Sequence, residues 1–201
     1  MIKKKLKKII KKWKRYHEIS NVGPITRRYF VMNAFDGATT ILGIVIGAYF
    51  AEITQESLVI WSGLGATLAM GLSGFVGAYL TEEAERERKL ATLERSMLTT
   101  LENSIVGKAS RFAPLWTGII DGVSPALASL VCLAPFFISS YGLMSINLAI
   151  QISVTVALTI MFLLGMFLGR ISRRNMILHG LKMLVVGLII TLVFFALKVA
   201  Q

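Results

Sequence analysis

The chain has 201 residues, 55% of them hydrophobic, with one cysteine and a formal net charge of +11. That apolar content exceeds the ~45–50% of a soluble domain and collects in long runs, which excludes an ordinary water-soluble domain and points to the membrane. The single Cys132 excludes an intramolecular disulfide framework or a Cys-rich zinc site, and basic residues placed at the ends of apolar runs argue against a nucleic-acid partner.

Residues 1–26 read as a basic amphipathic N-terminal helix. Ile2, Leu6, Ile9, Ile10 and Trp13 recur at helical spacing on one face, and lysines fill the rest. Such a helix lies on an anionic membrane surface with Trp13 at headgroup level, and a partner-binding arm is the other reading. The segment is too polar for a secretory signal. Gly23 and Pro24 are expected to break it from the first apolar run.

Residues 27–201 read as one membrane domain. Apolar runs of spanning length occupy 31–51, 58–80, 115–138, 146–168 and 178–197, predicting an all-α membrane protein with five transmembrane helices. Lys and Arg crowd the N-terminal arm, the second-to-third connection and the fourth-to-fifth connection, while 52–57 and 139–145 contain none. The positive-inside rule then predicts a cytoplasmic N-terminus and an outer C-terminus.

The first span contains Asp36. An ionisable group in a membrane helix is costly and is kept where it faces a polar interior. Asp36, Thr40, Gly43 and Gly47 share one helix face, so Asp36 is expected to line a cation path through the bundle. A short outer loop makes spans one and two a hairpin. Its Glu52 and Glu56 read either as a solvated loop or as an ion-attracting mouth.

The second span has a stripe of Gly63, Thr67, Met70, Gly74 and Gly77, a pattern that permits close helix packing. Met70 is either a core filler or a weak transition-metal ligand. Residues 81–111 form a Glu-rich cytoplasmic segment, of which 81–104, without Gly or Pro, is expected to continue the helix of the second span, with Leu90, Leu93, Met97, Leu101 and Ile105 as an apolar seam. Its Glu82, Glu83, Glu85, Glu87, Glu94 and Glu102 are interleaved with Arg86, Arg88, Lys89 and Arg95. They form either a solvated salt-bridged helix or a carboxylate cage for Mn²⁺ or Fe²⁺.

Gly107 and Pro114 are expected to punctuate the return. In the third span, Asp121-Gly122 echoes Asp36-Gly37, as a duplicated hairpin would. Asp121 either adds a second charge to the path or caps the helix N-terminus. Pro125 and Pro135 predict a kink or local opening, and Cys132 a small packing residue. The fourth span presents Asn147, Gln151, Thr155 and Thr159 in one row, for lining a passage or bonding helices together. The fifth reads as a supporting, lipid-facing helix, with His179 as a polar anchor near the inner surface.

The Asp36-Gly37 pair, GLGATLAMGLSGFVGAYL over 63–80 (with Ser73, Gly77, Tyr79 and Leu80), TEEAERERKLATLE over 81–94 and SPALASL over 124–130 together resemble the vacuolar iron transporter family, as a short prokaryotic-type member. The resemblance covers about residues 27–198. It implies proton-coupled export of Fe²⁺ or Mn²⁺ from the cytoplasm by a homodimer, with the path between protomers. It also implies Asp36 as the ion-path aspartate and the six glutamates as the metal-collecting site. Ala66 and Gly74 stand where plant-type members have Glu and Met; Met70 lies one turn from each, and Asp121 is the candidate for the second charge. The segment 81–111 is shorter than in plant members.

The combined expectation is a divalent-metal exporter, not an enzyme. Its ion path runs along Asp36, Thr40, Met70 and Asp121, and it needs no resident cofactor. Its partners are divalent metal ions, protons, the bilayer and a second copy, in the cell membrane of a prokaryote. The alternative is a non-transporting membrane metal sensor or scaffold. A lipid head-group transferase fits less well, since such enzymes cluster several Asp on neighbouring turns and each span here offers one.

Overall fold

The computed structural model describes residue 11 and residues 13–199. Ile2, Leu6, Ile9 and Ile10, the apolar face read for the arm, lie outside the described residues. After helical residues 13–20 come α1 (Gly23–Phe50), α2 (Glu56–Met97), α3 (Ile105–Ser140), α4 (Ile146–Ile171) and α5 (Met176–Val199). Among the described residues all regular structure is helical. Each of the five is long and apolar enough to cross a membrane, and each covers one of the five apolar runs, the first up to Phe50, so this is an integral membrane protein.

Several boundaries differ from those the sequence suggests. The break after the arm falls at Asn21 and Val22, with Asn21 in the left-handed region at φ 48°, a conformation Asn tolerates. Gly23 and Pro24 open α1 instead of interrupting the chain. Proline fits a first turn because its missing N–H has no helical partner there. The 42 residues of α2 span about 63 Å, twice the ~30 Å hydrocarbon layer, because residues 81–97 are strong helix formers without Gly or Pro. The helix stops at Leu98, φ 50°, and Glu94 Oε1 accepts the backbone N–H of Leu101 at 2.7 Å across the turn. Leu101 and Ile105 therefore leave the seam read for α2. Gly107 and Pro114 lie inside α3, whose helix also runs unbroken through Pro125 and Pro135. Each proline removes one backbone bond while its neighbours persist, so a membrane helix tolerates the loss.

The chain forms two compact units. One comprises Val31–Gly71 and Ser124–Gln201. Its core joins Ile41, Leu42 and Val45 of α1, Val59 of α2, Cys132, Leu133 and Phe136 of α3, and Ala157 and Met161 of α4. Cys132 is a fully buried packing residue, and its carbonyl accepts from Ser153 Oγ at 2.7 Å. Helices α1 and α3 cross at Gly37, where a Cβ would lie 2.5 Å from the Pro125 carbonyl oxygen. Glycines also bring α4 and α5 together: a Cβ on Gly165 would lie 2.5 Å from the His179 carbonyl oxygen. Elsewhere α5 is mostly uncovered, with 11% of its apolar window buried, in keeping with a lipid-facing helix.

The other unit comprises Met1–Phe30 and Leu72–Val123. Trp13 and Tyr16 meet the Phe112 ring at centroid distances of 5.7 and 5.9 Å, and Phe112 stacks on Trp116 at 6.1 Å. Trp13 thus spends part of its surface on α3 aromatics. Arg86 Nη1 donates to the Ser20 carbonyl at 2.7 Å, tying α2 to the end of the arm helix.

Candidate ion path and carboxylate cavity

Successive residues on a helix point about 100° apart, so one packed residue sets the direction of its neighbours. Gly37 is buried against Pro125, where only a glycine allows the two backbones to meet. Asp36 is consequently exposed on the outside of this chain, where the sequence reading expected it to face a polar interior. One turn on, the half-buried Thr40 donates its hydroxyl to Met70 Sδ at 3.4 Å. The sulfur of Met70 therefore sits at the polar face of α1. Farther along that face, Gly43 has no atom within 4 Å of a notional Cβ and Gly47 meets Phe194 at 3.4 Å.

Asp121 belongs to the other unit and is buried, 6% exposed, deep inside α3. Its reading as a helix N-cap is overturned, because α3 begins at Ile105. A Cβ on Gly74 would lie 3.0 Å from Asp121 Oδ2 and 3.2 Å from its carbonyl oxygen. The bare backbone at 74 makes room for the carboxylate.

The six glutamates divide. Glu83, Glu87, Glu94 and Glu102 line a cavity of about 320 Å³ with Tyr79, and Arg86 and Arg111 share its wall. Tyr79 donates its hydroxyl to Glu83 Oε1 at 2.8 Å. Glu82 turns away, 4% exposed, and pairs with Arg86 Nε at 2.7 Å. Glu85 is exposed with Lys89 Nζ at 3.8 Å. Helical spacing explains the division on α2, since 83, 87 and 94 share a face that 82 and 85 do not. Glu102 reaches the cavity only because the turn after α2 folds back. Among the described residues no group of three or more His, Cys, Asp or Glu is close enough to hold a metal ion. Of the two guanidiniums in this wall, sequence reasoning had Arg86 interleaved with the glutamates and missed Arg111. The Glu82–Arg86 spacing was a signal for the first; the second arrives from α3 and has none.

Residues 27–104 match the sequence model of the VIT family. An uncharacterized protein of Methanocaldococcus jannaschii is 35% identical over 176 residues, covering 86% of this chain and 88% of the relative. The chain belongs to the VIT family. VIT proteins are membrane transporters of metal ions, not enzymes. The family match takes in Asp36, Thr40, Met70 and all six glutamates of this VIT protein, and Asp121 lies beyond it.

Other polar groups of this VIT protein already have partners or face outward. The α4 row of Asn147, Gln151, Thr155 and Thr159 is exposed along its length. Thr155 and Thr159 return their hydroxyls to the carbonyls of Gln151 and Thr155 at 2.8 and 2.7 Å. Glu56 Oε1 accepts from Ser139 Oγ at 2.9 Å, and Glu52 lies 3.5 Å from Lys198 Nζ.

Proposed function

We propose that this VIT protein is a homodimeric exporter of Fe²⁺ or Mn²⁺, exchanging metal for protons across the cell membrane of a prokaryote. The observation that carries the reading is Asp36, an acid on the exposed face of a membrane helix. A carboxylate held against lipid costs about 2.5–3.5 kcal/mol on insertion scales. A second copy, laying its own α1 alongside, converts two costly acids into one polar conduit that a cation neutralises. The carboxylate of Asp36 would join the Thr40 hydroxyl and the Met70 thioether, 3.4 Å apart, in a mixed oxygen and sulfur set that suits a borderline divalent ion better than Ca²⁺ or Mg²⁺.

In this reading the long end of α2 and the N-terminus lie in the cytoplasm, which the positive-inside distribution supports. Metal would gather at Glu83, Glu87, Glu94 and Glu102 before entering the conduit. Protonation of Asp36 from the outer side would release it, because proton and cation compete for one carboxylate. Asp121, the second acid expected from the sequence, would take part in transport as well.

Proteoliposomes loaded with this protein should take up Fe²⁺ or Mn²⁺ under an imposed pH gradient, and Asp36→Asn should abolish uptake. Equal flux in both would remove Asp36 from the mechanism. The two guanidiniums in the glutamate cavity offset its negative charge and count against tight metal binding there; the rival reading is a non-transporting metal sensor or scaffold. Metal binding without flux, with or without the gradient, would select it.

A further inference from the structure

We propose that the turn between α4 and α5 binds the phosphate-bearing headgroup of an anionic membrane lipid. The site lies within one unit and is independent of the transport mechanism. Arg174, Asn175, Leu178, His179 and Lys182 line a cavity of about 550 Å³, and exposed Arg170, at the end of α4, and Arg173, in the turn, flank it in sequence.

Charge selects the class of ligand. From Gly122 to the end of the chain there is no Asp or Glu. Among the described residues none of Arg170, Arg173, Arg174 and Lys182 takes part in an ion pair. The turn itself is well made. Arg173 adopts the left-handed region at φ 53°, and the Arg174 backbone N–H donates to the Gly169 carbonyl at 3.0 Å. Asn175 Oδ1 caps α5 by accepting from the N–H groups of Ile177 and Leu178 at 3.0 and 3.2 Å. Two of the backbone donors at the helix start are thus engaged by Asn175, and the attraction for an anion comes from the side chains. Guanidinium forks match phosphate oxygens in pairs, and basic pockets beside membrane helices suit acidic headgroups.

The surroundings select a lipid over a free phosphate. Ile177, Leu178, Leu181 and Val185 are 60, 51, 49 and 51% exposed. They continue from the basic turn along α5 as an apolar strip on which an acyl chain would lie. One molecule with a phosphate head and a hydrocarbon tail satisfies both halves.

Native mass spectrometry of the full chain in neutral detergent micelles, titrated with phosphatidylglycerol or phosphatidylcholine, tests the site. Wild type should retain phosphatidylglycerol about tenfold better. Joint Arg173→Gln, Arg174→Gln and Lys182→Gln substitution should remove that preference. The same loss of charge at exposed sites away from this turn, Arg88→Gln, Arg95→Gln and Lys108→Gln, should leave it intact. Because neutral substitutions alter the charge that orients the helices, the pair Arg173→Lys and Arg174→Lys provides a charge-preserving check. It should lower retention severalfold through loss of the planar fork alone. No headgroup preference in wild type would overturn the proposal, as would an equal loss in the Arg88, Arg95 and Lys108 variant or full retention in the Lys pair. Displacement of the lipid by inorganic phosphate at lower concentration than the lipid itself would make free phosphate the ligand, and would also overturn it.

Discussion

Replacing Gly37 with alanine probes the contact that aims Asp36. The new Cβ would lie 2.5 Å from the Pro125 carbonyl oxygen, 2.8 Å from its Cα and 3.0 Å from its carbonyl carbon. Ordinary contacts of this kind sit at about 3.5–4.0 Å, so α1 and α3 must separate by roughly 1 Å. All three obstacles are backbone atoms, and none can rotate away. Such overpacking costs about 1–3 kcal/mol. The separation also stretches the 3.3 Å bond from Ser129 Oγ to the Gly37 carbonyl, at about 0.5–1 kcal/mol. Alanine returns up to ~1 kcal/mol of helix propensity. The expected net loss is about 1–3 kcal/mol. Gly43 provides the control on the same helix: nothing lies within 4 Å of its notional Cβ, so Gly43→Ala should keep the propensity gain and match or exceed wild type. Thermal unfolding of both variants in one detergent should separate them by several degrees, at about 2–4 °C per kcal/mol. Metal uptake by Gly37→Ala should fall as Asp36 is displaced. A Gly37→Ala protein as stable as Gly43→Ala would refute the close crossing and the orientation of Asp36 derived from it.

Arg86→Ala should destabilise the protein by about 3 kcal/mol, since it leaves Glu82 buried without its cation. It should also speed protease cleavage near Ser20, and adding Glu82→Gln should restore much of the melting temperature. Gly74→Ala, which presses on Asp121, should lower both melting temperature and metal uptake; Gly77→Ala, with no neighbour within 4 Å, should change neither. Joint Glu83→Gln and Glu87→Gln should raise the KM for Mn²⁺ uptake severalfold with kcat nearly unchanged, and a fall in kcat alone would contradict a collecting role. In a Cys132→Ala background, Asp36→Cys should form a disulfide between two copies on mild oxidation, and a purely monomeric product would count against the shared conduit.

Hydropathy and helix propensity belong to each segment by itself, and they were legible without a neighbour. The five spans, the continuation of α2 through the Glu-rich stretch and the buried packing role of Cys132 follow from local composition. Direction around a helix is a different quantity. Asp36 and Gly37 are adjacent in sequence and either could have faced inward. The close meeting of Gly37 with Pro125, distant in the chain, put the glycine in and the acid out. The glutamates show the same division: spacing along α2 groups 83, 87 and 94, whereas Glu102 and Arg111 join them only because the turn at Leu98 folds α3 back. Asp121 lost its capping role because α3 begins at Ile105, well before its apolar run. Composition thus determined which segments are helical and membrane-spanning, while long-range packing determined where each acid points, because a side chain's facing depends on which neighbours its helix touches.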